Sequence, residues 1–168
     1  HSIARRQRQM CIRDSGSSFH RVLWDDAEKG SSSTELATDK NIRRVVMCSG
    51  KVYFDLLEER DARGLNDIYL LRFEQFYPFP AMSALKELER FQNAEMVWCQ
   101  EEPKNQGAWS FMEPNIEWVL SRMKAKFKRP IYVGRPASAS PATGLASQHK
   151  EQQKLLVEEA LNLKENKK

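Results

Sequence analysis

The chain has 168 residues, 40% of them hydrophobic and 10% aromatic, with a formal net charge of +4. That length holds about one ordinary domain, and the composition excludes a disordered chain. No apolar run approaches the ~20 residues that cross a bilayer, and no apolar signal core is visible near the N-terminus.

Residues 1–15 carry Arg5, Arg6, Arg8 and Arg13 against Asp14 alone, which accounts for three of the four net positive charges. The remainder is close to neutral, so no nucleic-acid footprint is expected. Phe19–Leu23 reads as an edge strand, and Gly30–Asp39 as a solvated loop or linker. Ile42–Cys48 is a β-branched apolar run that suits a strand covered on both faces. Val52–Arg63 follows as a helix, with Tyr53, Leu56, Leu57 and Arg60 on adjacent turns and Gly64 as its stop. Ile68–Phe73 is the next strand. Ala81–Gln92 is a helix with Met82, Leu85, Leu88 and Phe91 as one stripe behind Pro80.

Met96–Cys99 is a third apolar strand. Pro114–Phe127 sets Ile116, Val119, Leu120, Met123 and Phe127 on one helical face. Pro130–Val133 is a further strand. Leu145–Leu163 is a last helix with Leu156, Ala160 and Leu163 on one side, and residues 164–168 form a charged tail expected to be disordered. The alternation predicts an α/β fold: three layers, with a mostly parallel sheet of about five strands and helices on both faces. The expected division is a leader at 1–15, an edge segment and linker at 16–40, and the α/β domain at 41–163.

Three tracts stand where α/β sheets bind ligands, after strand ends. Cys48-Ser49-Gly50-Lys51 joins a strand to a helix; helix-start amides attract anions, and Lys51 adds a charge. It lacks the upstream glycine of a phosphate-binding P-loop, so a tight turn with a solvated lysine is the plainer reading. Gln100 to Trp109 includes Glu101 and Glu102. Neighbours in an extended segment point apart, which argues against a shared proton, so the tract reads as a structured loop at a domain or subunit contact. Gly134 to Gly144 reads as a rigid loop in which Arg135 is a candidate for a carboxylate or phosphate and Ser140 or Thr143 could cap the last helix.

Cys11, Cys48 and Cys99 are too few and too widely spaced for a disulfide framework or zinc site, and Cys48 and Cys99 end apolar runs like buried thiols. His20 and His149 lie in no visible catalytic arrangement. The aromatic stretch from Phe73 to Pro80 lacks the basic partners of a nucleic-acid platform and reads as core or interface.

These tracts together resemble the C-terminal domain of the decarboxylating component of bacterial 2-oxoglutarate dehydrogenases. The matching text is S-F-H-R-V-L-W-D-D at 18–26, V-V-M-C-S-G-K-V-Y-F-D-L-L at 45–57 and R-F-E-Q-F-Y-P-F-P at 72–80. It continues with W-C-Q-E-E-P-K-N-Q-G-A-W at 98–109, Y-V-G-R-P-A-S-A-S-P-A-T-G at 132–144 and H-K-E-Q-Q at 149–153. The resemblance implies a transketolase C-terminal-like fold and a role in assembly and regulation. It places thiamine diphosphate, magnesium and the catalytic residues in upstream domains, leaving no cofactor or catalytic residue here. The implied partners are those upstream domains, a second protomer and the lipoyl-bearing second component, in the bacterial cytoplasm, with neither nucleic acid nor membrane.

Actinobacterial members bind acetyl-CoA in this domain, and the matching positions are Cys48, Lys51, Gln100, Gly107 and Ala108, with Cys48 standing where a hydroxyl residue is usual. Arg135 joins them as a candidate for an acyl-CoA or nucleotide site. The alternatives are a stand-alone CoA- or nucleotide-binding module, or the C-terminal domain of another thiamine diphosphate-dependent 2-oxoacid dehydrogenase or a transketolase. Residues 1–15 do not match the family's basic segment. They resemble translated adapter read-through, and are expected to be non-native. The isolated chain is expected to be inactive on 2-oxoglutarate and to expose apolar surface where partner domains pack.

Overall fold

A computed structural model describes residues 20–140, 144 and 146–162. The expected leader and the 164–168 tail lie outside these residues, as do Phe19, Thr143, Leu145 and Leu163. In chain order the elements are β1 (Val22–Leu23), β2 (Arg44–Cys48), α1 (Val52–Ala62), β3 (Ile68–Phe73) and α2 (Ala81–Leu88). They continue with β4 (Glu95–Pro103), α3 (Trp109–Arg122), β5 (Ile131–Arg135) and α4 (Ala146–Ala160).

The strands form a five-stranded sheet in the order β1-β3-β2-β4-β5. The pairs β2·β3, β2·β4 and β4·β5 are parallel, and β1 runs antiparallel along β3 at the edge. Every residue of β2 and β3 is buried, as expected where helices cover both faces of a parallel sheet. Val45, Met47, Tyr69, Leu71, Met96 and Trp98 face one layer, where Ala84 and Leu88 of α2 and Met112, Ile116, Val119 and Leu120 of α3 meet them. Val46, Cys48, Ile68, Leu70, Val97 and Cys99 face the other, against Val52, Tyr53 and Leu56 of α1 and Leu156, Val157 and Ala160 of α4. Each fully buried aliphatic side chain stabilises this sandwich by roughly 1.5–3 kcal/mol. The expected three-layer α/β architecture is the one observed, and it is consistent with a transketolase C-terminal-like fold.

Several boundaries differ from expectation. The strand expected at Met96–Cys99 runs to Pro103, so the first four residues of the presumed loop belong to β4. The strand expected at Pro130–Val133 likewise includes Gly134 and Arg135. Residue types uncommon in strands concealed both extensions: Gln100, Glu101, Glu102 and Pro103 in β4, and Gly134 with Arg135 in β5. The helix expected to start at Pro114 starts at Trp109 and ends at Arg122, with Pro114 inside it. Proline removes one amide donor, and the carbonyl four residues back belongs to exposed Ser110, where water can reach it. The helix expected at Ala81–Gln92 stops at Leu88. Its buried face is Ala84 with Leu88, while Met82 is 71% exposed and Phe91 is buried from the following turn. The edge strand is shorter than expected, and β2 begins at Arg44 rather than Ile42.

The segment ahead of β2 is fastened to the domain by polar contacts that apolar periodicity does not reveal. Asp25 is fully buried; its carboxylate accepts from the Arg60 guanidinium, from the Leu70 amide at 2.7 Å and from the Ala27 amide at 2.9 Å. Asp61 accepts from the Ser32 hydroxyl at 2.7 Å and the Thr34 hydroxyl at 2.8 Å. Burial alone would raise the Asp61 carboxyl, but the Ser32 and Thr34 hydrogen bonds and the charge of Arg60 outweigh it and hold the carboxyl below its ordinary value. The 30–39 stretch therefore lies against α1, with Thr34 buried.

Candidate functional site

The chain runs from β2 outward to β3 on one side, then returns across the sheet to β4 and on to β5. The ends of β2 and β4 thus flank the point where the winding reverses, which is where open α/β sheets leave a crevice. A cleft of about 370 Å³ lies there. Ser49, Gly50 and Lys51 line it from the β2–α1 turn, Phe76 from beyond β3, Trp98 and Gln100 to Glu102 from β4, and Gly107 with Ala108 from the turn into α3.

Four of the six candidate residues therefore meet in one cleft: Lys51, Gln100, Gly107 and Ala108. Cys48 and Arg135 do not line it. Cys48 is fully buried among α1 and α4 contacts on the opposite face, and burial pushes its thiol up to about 12. Cys99 is buried on that face too, and burial raises its thiol well above the ordinary value. Arg135 stands behind the cleft, where its Nε donates to the main-chain oxygen of Glu101 at 2.7 Å. Ser140 remains exposed in the loop, its amide donating to the Ser138 hydroxyl at 3.2 Å. His149 is exposed on α4.

Gln100 is a brace for the wall of the cleft. Its Oε1 accepts from the Trp98 indole and from the Trp109 amide, both at 3.0 Å. Its Nε2 donates to the main-chain oxygens of Gln106 at 2.8 Å and Pro103 at 3.2 Å. One buried amide thus closes the β4–α3 turn and satisfies the first amide of α3. Gly107 is required at that closure. Its φ is +67°, and a Cβ would lie 3.0 Å from both Gln100 Nε2 and Glu102 Cβ.

The end of β4 bulges outward. Cys99 pairs with Val133 and Pro103 with Arg135, so three residues of β4 oppose Gly134 alone. A Cβ on Gly134 would come within 2.8 Å of the Gln100 carbonyl oxygen and 2.4 Å of the Tyr132 hydroxyl, so the bulge and this glycine belong together. Bulges re-aim side chains at strand ends. Here the result is that Glu101 turns to Lys51, whose Nζ donates to its Oε1 at 2.6 Å, while Glu102 is exposed. That hydrogen bond holds the Lys51 ammonium above its ordinary value. Phe76 is half-buried against Trp98, with ring centroids 6.0 Å apart, and gives the cleft an aromatic wall.

The exposed tip beyond the cleft is also tied down. Asn105 exchanges two 3.0 Å hydrogen bonds with the main chain of Ser138, joining the β4–α3 turn to the stretch after β5. Of these residues, sequence reasoning did not single out Phe76 as part of a site; its only signal was the aromatic stretch that contains it. The spacing places Arg60 beside Tyr53, Leu56 and Leu57 on one helical face, but nothing in the sequence pairs it with Asp25.

The strand order, with its reversal of winding between β2 and β4 and a cleft at that point, defines a doubly wound α/β domain. The chain belongs to the family described as 2-oxoglutarate dehydrogenase C-terminal, whose family model matches residues 13–161. It is 61% identical over 146 residues to proteins named 2-oxoglutarate dehydrogenase E1 component from Brucella anthropi and Brucella ovis. The match covers 86% of this chain but 15% and 14% of those relatives, so the chain spans a small part of their length.

Proposed function

We propose that this chain is the assembly and regulatory domain at the C-terminus of a bacterial 2-oxoglutarate dehydrogenase E1 component. In this reading the parent decarboxylates 2-oxoglutarate with thiamine diphosphate and magnesium, in the cytoplasm, as a step of the tricarboxylic acid cycle. It passes the succinyl group to the lipoyl carrier of the second component. The identity to the Brucella proteins supports the choice of parent. The match spans 15% and 14% of those relatives, and in this reading the cofactors and the chemistry belong to the rest of the parent.

Two features support assembly and regulation. Tyr77 and Met82, flanking the start of α2, are 84% and 71% exposed, and a neighbouring domain or second protomer would cover such side chains. The observation that carries the regulatory half is the cleft at the switch point, with Lys51 at its mouth and Phe76 as its wall. An acyl-CoA or adenine nucleotide would set a phosphate at Lys51 and an apolar or aromatic group against Phe76. Calorimetric titration of the 168-residue chain with acetyl-CoA, and separately with AMP, tests this. A saturable heat with one of them is the expected outcome. Millimolar concentrations of both giving no heat would remove the regulatory reading.

A further inference from the structure

The charges that line the cleft do not favour an anion as they stand. Lys51 is its cation, while Glu101 and Glu102 are two carboxylates. Lys51 is moreover engaged: its ammonium lies 2.6 Å from Glu101 Oε1. A phosphate arriving at the helix start meets a lysine already neutralised by a fixed counter-ion. Glu101 is held in that place from both sides. The β4 bulge turns it toward the β2–α1 turn, and Arg135 fixes its main-chain oxygen.

We infer that Glu101 is a built-in competitor for Lys51, so that an anionic ligand enters the cleft by displacing the Glu101 carboxylate. This rests on the reading of the cleft as an acyl-CoA or nucleotide site. The pair suits a competitor rather than a permanent brace. The Lys51 side chain is 62% exposed and that of Glu101 22%, and an ion pair open to water on its lysine side contributes little to stability, so a ligand phosphate can replace it at small cost. The displaced carboxylate turns to water, while the hydrogen bond from Arg135 leaves the backbone of the cleft in place. The device sets a threshold: affinity for anions is held below what Lys51 and the start of α1 would give alone.

The test is calorimetry on the wild-type chain and on Glu101→Gln, which keeps the length and hydrogen-bonding capacity of the side chain but removes its charge. Titrants are acetyl-CoA, AMP and the uncharged fragment pantetheine. Relief of one nearby negative charge in a half-exposed cleft should tighten acetyl-CoA or AMP by about three- to tenfold. Pantetheine affinity should not change. Glu102→Gln should tighten the anions less, because Glu102 is exposed and makes no ion pair with Lys51. Thermal melting of each variant checks that the fold is intact. Equal anion affinity in wild type and Glu101→Gln would overturn the competitor while leaving the cleft as a ligand site. An equal gain in Glu102→Gln would also overturn it, by showing that net charge alone matters. Absence of binding by both wild type and Glu101→Gln would overturn the site reading and the competitor together.

Discussion

Helix α1 carries an ion pair at each end, and the two behave as different kinds of object. Near its C-terminal end, Arg60 and Asp25 are both fully buried, and each makes further hydrogen bonds: Asp25 to two main-chain amides, Arg60 to Asp61 and Ser32. At the start of the helix, Lys51 and Glu101 meet at a cleft mouth, with the lysine side chain 62% exposed. In the first pair water has been excluded, so either charge alone would be stranded in a poorly polarisable interior. In the second, water reaches the lysine side of the pair and can take over its charge. Burial, rather than the presence of opposite charges, decides which pair holds the domain together and which is available to a ligand.

Breaking the buried pair should have the largest effect. Arg60→Ala leaves Asp25 buried without its cation and should cost ~3–5 kcal/mol of unfolding free energy, read as a lower urea midpoint. A loss below ~1 kcal/mol would mean that Asp25 finds another partner, and the contrast would collapse. Asp61 sharpens the comparison at intermediate size. Its folded carboxyl lies below the ordinary value of 3.8, so its contribution is complete above that value and is lost as pH falls through the folded one. Asp61→Asn should cost ~1 kcal/mol at pH 7 through weakened hydrogen bonds. It should also lose less stability than wild type between pH 5 and pH 3, roughly the window of carboxylate protonation. Parallel wild-type and variant curves across that interval would contradict the assignment. The smallest effect belongs to the exposed pair: Lys51→Ala should change stability by no more than ~0.5 kcal/mol, measured by the same urea series. A cost comparable to that of Arg60→Ala would mark Lys51 as structural.

The sequence made the fold legible where apolar residues alone define an element. Ile68–Phe73 was read to the residue because all six positions are buried on a covered strand. Where polar residues continue an element past the core, the reading stopped short. Gln100, Glu101 and Glu102 look like loop, yet they lie within β4 as a bulge between the Cys99–Val133 and Pro103–Arg135 pairs, which polar residue types do not announce. The five residues from Trp109 to Glu113 were lost from α3 because Pro114 mimicked a helix start. For the site, the strand-end rule brought Lys51, Gln100, Gly107 and Ala108 into the right neighbourhood. It did not distinguish lining residues from supporting ones. Arg135 and Cys48 adjoin the cleft in sequence logic but point elsewhere, and side-chain direction at a bulge or a strand terminus is set by register that a single sequence does not display.

Helix α1 has a mechanical consequence. It is 11 residues long, about 16 Å of stiff rod. One end is clamped through Arg60 to the segment that leads into the sheet from β1, and the other end presents Lys51. Edge strand β1 is itself tied beyond β3, where the Glu74 amide donates to the Arg21 carbonyl at 2.9 Å. The anchor of the segment after β1 and the lysine of the cleft thus stand at the two ends of one rod.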